Sequence, residues 1–148
     1  MAAKEKKVPT AEEKAAEMEK ARAYTDSLVQ KALKAEAEFA TFTQEQVDKI
    51  VAAAALAGSE AALMLAHEAV DETGRGVVED KDTKNRFATE NVYHAIKNDK
   101  TVGIIEEDKT KGEVKIAAPL GVLAGIVPTT NPTSTAMFKS IITLKTRN

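Results

Sequence analysis

A continuous apolar run at residues 121–127, with the sequence GVLAGIV, constrains the fold of this chain most strongly. A short run of this kind is typical of a strand that is buried on both faces, as in a parallel sheet. Such a strand needs neighbouring strands to complete its hydrogen bonds. We therefore predict an α/β fold in which this segment is an inner strand.

A polar turn and a helical pattern follow this strand. Residues 128–135 are rich in Pro, Thr and Ser, and Thr133 or Ser134 is predicted to cap the helix. Its apolar face is expected to comprise Met137, Ile141 and Leu144. A crossover helix between parallel strands must lead to a second strand, yet the sequence stops at this point. We expect the chain to be the amino-terminal piece of a longer α/β protein.

The first hundred residues predict helices, beginning with a long one. Thr10 and Glu13 have the spacing of a capping box, in which a hydroxyl and a carboxylate satisfy free backbone donors at the helix start. One face then repeats at steps of three and four residues: Met18, Ala21, Thr25, Leu28, Ala32, Ala35 and Phe39. This thin stripe favours packing against a larger body. A targeting or partner-binding helix is the alternative.

Further start and stop signals divide the remaining helical region. Thr43 and Gln46 form a second capping box, and Phe42 and Val47 occupy the positions of a hydrophobic staple. The other signals are a stop at Gly58, a cap at Ser59, a stop at Gly74 and a cap at Asp80. Together they predict three more helices before Lys100.

The periodicity changes after Lys100. Residues 101–105 and 113–117 are short β-prone runs on either side of the polar residues 106–112. This arrangement predicts a β-hairpin. Its turn is longer than the tightest hairpin loops, which leaves the register open.

Composition and charge exclude several classes of function. A net charge of −2, from 21 basic and 23 acidic residues, gives no global electrostatic basis for binding nucleic acid or an anionic membrane. The chain has no Cys, and therefore no disulfide framework, thiolate metal site or cysteine nucleophile. No secretory or transit signal is recognisable, and the longest apolar run is shorter than the ~20 residues of a membrane span. We expect a soluble cytoplasmic protein.

Asn131 is the candidate functional side chain. An amide at the end of a strand can donate a hydrogen bond to a developing oxyanion. The alternative is structural, because Asn-Pro commonly initiates a turn and the neighbouring Thr and Ser residues can simply cap a helix. Lys139 and Lys145 could steer a phosphate or be solvated, and the common glycine-rich phosphate motifs are missing. His67 and His94 lack partners at metal-ligand spacing, so no metal site is predicted.

Three stretches resemble a known family. Residues 121–148, GVLAGIVPTTNPTSTAMFKSIITLKTRN, are similar to the acetaldehyde dehydrogenase (CoA-acylating) part of bifunctional aldehyde–alcohol dehydrogenases, members of the aldehyde dehydrogenase superfamily. FTQEQVDKI at 42–50 and GVVEDK at 76–81, with KN at 84–85, fit the same family. The resemblance covers the chain from about residue 38 onward.

The resemblance implies a fold and a chemistry. It implies that residues 41–100 are the helical part of a Rossmann-type cofactor domain, 101–118 an oligomerisation arm and 119–148 the first strand–turn–helix unit. Residues 1–40, most of which precede the resemblance, are expected from their own pattern to be a leading amphipathic helix. Asn131 would help hold the oxyanion of the reacting aldehyde. NAD would lie against residues that resemble the first segment of the cofactor wall: Ile126, Val127, Pro128, Thr129 and Thr130.

The family activity is the NAD-dependent reduction of acetyl-CoA to acetaldehyde and then to ethanol in fermentation. Its substrates are small aldehydes and acyl-CoA, and coenzyme A takes the acyl group from a cysteine thiolate. Fe²⁺ belongs to the alcohol dehydrogenase half, which this chain lacks. The hairpin at 102–117 resembles an arm that builds a homo-oligomer.

The departure from the family is the missing cysteine. No Cys is present in the chain, so we expect these 148 residues to be inactive by themselves. An alternative is a non-catalytic oligomerisation or interaction module that regulates or nucleates assembly of the full enzyme. A further alternative is an encapsulation or targeting role for the leading helix.

Overall fold

The computed structural model describes residues 10–148, so residues 1–9 of the predicted leading segment lie outside the described residues. Helix α1 spans Ala11–Phe39 and begins with the predicted capping box. The Glu13 amide donates to Thr10 Oγ1 (3.2 Å), and the Thr10 amide donates to Glu13 Oε2 (2.7 Å). No residue of α1 is buried, and Met18 is 68% exposed. The helix packs through its C-terminal part, where Phe39 contacts the core.

Helices α2 and α3 span Gln44–Glu60 and Ala62–Thr73 and meet at an angle of 60°. The capping box of α2 and the stop at Gly74, whose φ of 62° is left-handed, are confirmed. The predicted stop at Gly58 and cap at Ser59 are wrong, because α2 continues through both residues. Gly58 is used for close packing instead: a Cβ there would lie 2.7 Å from Thr89 Cγ2.

The next helical stretch is interrupted by a π-helical turn. Helix α4 spans Val78–Arg86, the π-helical turn spans Phe87–Asn91, and helix α5 spans Val92–Ile96. The predicted cap at Asp80 is wrong, since the helix starts at Val78. Asp80 lies in the first turn, where the positive end of the helix dipole stabilises a carboxylate.

The predicted hairpin is confirmed. Strand β1, Gly103–Asp108, pairs antiparallel with β2, Glu113–Ala117, and the register shifts between Ile104 and Glu106. The irregularity places Ile105 outside the regular pairing, as in a β-bulge. Both strands are largely exposed.

The predicted buried strand at residues 121–127 is wrong for this structure. The segment forms no strand, and Ile126 is 84% exposed. The physical reason is that an inner parallel strand requires a neighbour, and none of residues 10–148 pairs with it. Side chains hold the segment instead: Lys139 Nζ donates to the Ile126 carbonyl (2.7 Å), and the Gly121 amide donates to Asn148 Oδ1 (3.1 Å).

Helix α6, Pro132–Lys145, ends the fold and crosses the core. Its N-cap is Asn131, so the predicted cap at Thr133 or Ser134 is wrong. Proline at the first helical position suits this start, because its fixed φ is helical and it has no N–H to satisfy. The main core cluster joins α2 to α6 and consists of Val47, Val51, Ala55 and Ile141; further buried apolar residues lie on α3 and on the π-helical turn.

No single helix among residues 10–148 is long and apolar enough to cross a membrane. The bent pair α2 and α3 together reaches the necessary length and composition.

Candidate active site

The predicted site residues form one continuous stretch that leads into α6. Residues 126–130 are exposed, and Asn131 is partly buried. The backbone N–H of Asn131 donates to the Pro128 carbonyl (3.2 Å), which closes the turn. The backbone carbonyl of Asn131 accepts from the backbone N–H of Thr135 (3.3 Å). The turn therefore fixes the backbone of Asn131 at the start of the helix.

The Asn131 side chain has polar partners on both ends of its amide. Lys84 Nζ donates to Oδ1 (3.3 Å), and Nδ2 donates to Thr130 Oγ1 (3.4 Å). An amide carries two donors on its nitrogen. One N–H of Asn131 is therefore without a protein partner among residues 10–148, and it can donate to a bound oxygen.

A buried lysine on α4 supports the turn. Lys81 is 5% exposed, and its Nζ donates to the Thr130 carbonyl (3.0 Å). Its stem passes close to Gly76, where a Cβ would lie 3.4 Å from Lys81 Cε. The sequence pattern did not single out Lys81 as a functional residue. A lysine in the first turns of a helix is usually solvated, so no local signal distinguished it.

A buried asparagine connects the same turn to α3. Asn85 is fully buried; its Nδ2 donates to the Ala62 carbonyl (2.9 Å), and its Oδ1 accepts from Thr133 Oγ1 (2.8 Å). The Thr89 hydroxyl donates to the Asn85 carbonyl (2.9 Å). Asn85 therefore ties the start of α6 to two other helices. In the sequence, Asn85 is a polar residue within a predicted helix, and such a residue is expected at the surface.

A cleft of about 500 Å³ opens beside Asn131. Phe87, Ala88 and Phe138 give it apolar walls. Its polar lining comes from Thr83, Lys84, Asn131, Ser134 and Thr135. The π-helical turn contributes Phe87 and Ala88, and π-helical turns are frequent at functional sites. Apolar walls with a few placed polar groups suit a small organic ligand with one polar atom.

Other titratable candidates are not part of this cleft. Lys139 donates to a backbone carbonyl, and Lys145 is 2% exposed and paired with Asp48, so neither is simply solvated. His67 and His94 are exposed. Within residues 10–148, no group of three His, Cys, Asp or Glu residues could hold a metal ion.

A separate polar cluster links α2 to the π-helical turn. The Ser59 hydroxyl donates to Glu90 Oε1, and Arg86 Nη1 donates to the same oxygen (3.3 Å). The bond from Ser59, and then the contact with Arg86, hold the pKa of the Glu90 carboxyl below its usual value. The pKa of Arg86 is raised, first by its hydrogen bond to Asp82. Glu90 therefore joins Ser59 of α2 to Arg86 of α4.

Comparison with solved structures assigns the class of protein. The chain aligns with the crystal structure of an acetylating aldehyde dehydrogenase from Geobacillus thermoglucosidasius at a TM-score of 0.84 and 47% identity. The alignment covers 85% of this chain and 28% of that one. No protein-family model matches the chain. At this identity the chain matches, in fold and in sequence, one part of an acetylating aldehyde dehydrogenase.

Comparison with curated proteins narrows the family. The chain is 58% identical over 123 residues to the bifunctional aldehyde–alcohol dehydrogenase of Escherichia coli, covering 83% of this chain and 14% of that protein. It is 56% identical over 144 residues to the aldehyde–alcohol dehydrogenase of Streptococcus pneumoniae, covering 97% of this chain and 16% of that protein. The chain belongs to the aldehyde–alcohol dehydrogenase family, in its acetylating aldehyde dehydrogenase region, and spans about a seventh of the length of these relatives.

The family assignment made from the sequence is therefore confirmed, as is the mostly helical α/β fold with its hairpin. The relatives are oxidoreductases. The roles of Asn131 and residues 126–130 stay predictions.

Proposed function

We propose that this chain contributes the oxyanion donor and part of the NAD wall to a CoA-acylating aldehyde dehydrogenase within a bifunctional aldehyde–alcohol dehydrogenase. The overall reaction is reduction of acetyl-CoA to acetaldehyde and then to ethanol. The observation that supports it best is Asn131 at the start of α6, where one side-chain N–H has no partner among residues 10–148 and lies beside a small, mainly apolar cleft.

The proposed reaction requires a hydrogen-bond donor beside the carbonyl oxygen. When a cysteine thiolate attacks the carbonyl carbon of an aldehyde or thioester, the carbonyl oxygen acquires negative charge. An amide N–H already in place stabilises that charge, and loss of one such donor costs about 10²–10³ in kcat. In the proposal Asn131 Nδ2 is this donor. Phe87 and Phe138 hold the small alkyl group beside it.

The exposed stretch before Asn131 fits one side of a nicotinamide site. Ile126 and Val127 expose apolar side chains, 84% and 43% respectively, and Thr129 and Thr130 add hydroxyls. Such a surface suits a flat ring and its ribose. NAD, when bound, carries the hydride; this chain contributes contacts and exclusion of water. Coenzyme A is the acyl acceptor in the proposal.

The nucleophile has to come from outside these 148 residues, because they contain no Cys. We expect the purified chain to show no acetyl-CoA-dependent NADH oxidation, and the complete polypeptide that carries it to show robust turnover. The assay follows NADH absorbance with and without acetyl-CoA. Turnover by the 148-residue chain, or none by the complete polypeptide, would contradict the proposal.

A second proposed role is assembly through the hairpin. Ile104 and Ile116 are paired across the strands and are 58% and 67% exposed, and Val114 is on the same face. An exposed apolar face of this kind is typical of a protein contact. We propose that it pairs with another copy and that the assembly is cytoplasmic.

A further inference from the structure

The orientation of the Asn131 amide depends on one neighbouring cation. Lys84 Nζ lies 3.3 Å from Asn131 Oδ1. An ammonium group has donors and no acceptor, so it can bind the oxygen of the amide and not its nitrogen. The opposite orientation of the amide would direct N–H groups at a positive charge. Lys84 therefore selects one of the two amide orientations.

We propose that Lys84 is a positioning residue for Asn131, and the inference rests on the proposed function. Its ammonium holds Oδ1 on the α4 side, which leaves Nδ2 as the donor for the reacting oxygen. Both residues line the same cleft. A charged donor on the oxygen also polarises the amide and strengthens its remaining N–H as a donor, since linked hydrogen bonds reinforce one another.

The backbone of the turn is held by other residues. Lys81 binds the Thr130 carbonyl, and Asn85 binds the Thr133 hydroxyl. Both are buried, whereas Lys84 is exposed. Removal of the Lys84 ammonium should therefore leave the fold and the turn intact. If Lys84 had a purely structural role, removal of its ammonium would destabilise the fold.

The test is a double-mutant cycle on kcat in the complete polypeptide, with the variants Lys84→Met, Asn131→Ala and both together. Lys84→Met keeps the length of the stem and removes the charge. We expect it to lower kcat about tenfold, less than the loss expected for the oxyanion donor itself. The KM for acetyl-CoA should change less than about twofold, because the effect appears in the transition state. Lys84→Arg should restore most of the activity.

The double variant provides the sharpest readout. If Lys84 acts through Asn131, then Lys84→Met should have no further effect in the Asn131→Ala background. Lys81→Met is the matched control on the same helix; it should lower the melting temperature and reduce kcat in both backgrounds. The melting temperature of Lys84→Met should stay within about 2 °C of the wild type, as for ordinary surface substitutions.

The outcomes separate the two claims. An inactive wild-type polypeptide would refute the proposed function and this inference with it. An active wild type in which Lys84→Met leaves kcat unchanged, or adds its full loss to that of Asn131→Ala, would refute the inference alone.

Discussion

At the scale of single residues, close packing explains features that local sequence rules assign wrongly. Gly58 carries the pattern of a helix stop, but its missing Cβ makes room for Thr89 on the π-helical turn. Asn85 has the composition of a surface residue and is fully buried. In both cases the partner is a residue more than twenty positions away, which no local pattern reports. The capping boxes were predictable because they involve residues three positions apart.

The contact at Gly58 leads to a prediction about stability. In Gly58→Ala, the new methyl group would lie 2.7 Å from Thr89 Cγ2, and Thr89 is held by its hydrogen bond to the Asn85 carbonyl. Overpacking of this kind costs about 1–3 kcal/mol in unfolding free energy. Urea denaturation measures the loss. Adding Thr89→Ser removes the obstructing methyl and should recover most of it; an unchanged or increased stability of Gly58→Ala would contradict the packing argument.

At the scale of elements, the sequence predicts an element correctly when its hydrogen-bonding partner is close along the chain, and wrongly when that partner is distant. The hairpin joins residues close in sequence, so its period and turn identify it. Residues 121–127 have the composition of an inner strand, but a strand exists only with a neighbour to bond to. The composition of residues 121–127 therefore suits the interior of a parallel sheet, and the described residues contain no strand that pairs with this segment.

The attachment of α6 to α2 gives the second prediction. Lys145 is 2% exposed; its Nζ donates to Asp48 Oδ1 (2.7 Å) and to the Lys97 carbonyl (3.1 Å). Asp48→Asn would leave a buried ammonium without its counter-charge. Because Asp48 is itself 40% exposed, we expect a loss of about 2 kcal/mol in unfolding free energy, below the full cost of breaking a buried pair.

The matched control is the exposed pair of Glu45 and Lys49, whose side chains are 78% and 75% exposed. Glu45→Gln should change the unfolding free energy by less than about 0.5 kcal/mol. Chemical denaturation measures both losses in unfolding free energy. Equal losses for Asp48→Asn and Glu45→Gln would show that burial of Lys145 does not strengthen its ion pair.

At the scale of the whole molecule, the compact part is small and its apolar surface extensive. The buried core is confined to a few side chains of α2, α3, α6 and the π-helical turn. Exposed apolar residues lie along α1, on the hairpin and at residues 120–127, and others lie on α2, α3 and the π-helical turn. Such surfaces suit contacts with further protein. This agrees with a chain that spans 14–16% of its relatives.

The hairpin surface gives the last prediction. Ile116→Lys places a charge at the centre of the face formed with Ile104 and Val114, and a buried unpaired charge opposes association. If this face joins two copies, the substitution should lower the molar mass of the complete polypeptide in light scattering by at least half. Lys115→Gln, on the opposite face of the same strand, is the control and should leave the mass unchanged, although it removes the ion pair with Glu106. An Ile116→Lys variant with the wild-type mass would exclude the hairpin as the assembly contact, because burial of an unpaired ammonium in a packed interface is costly.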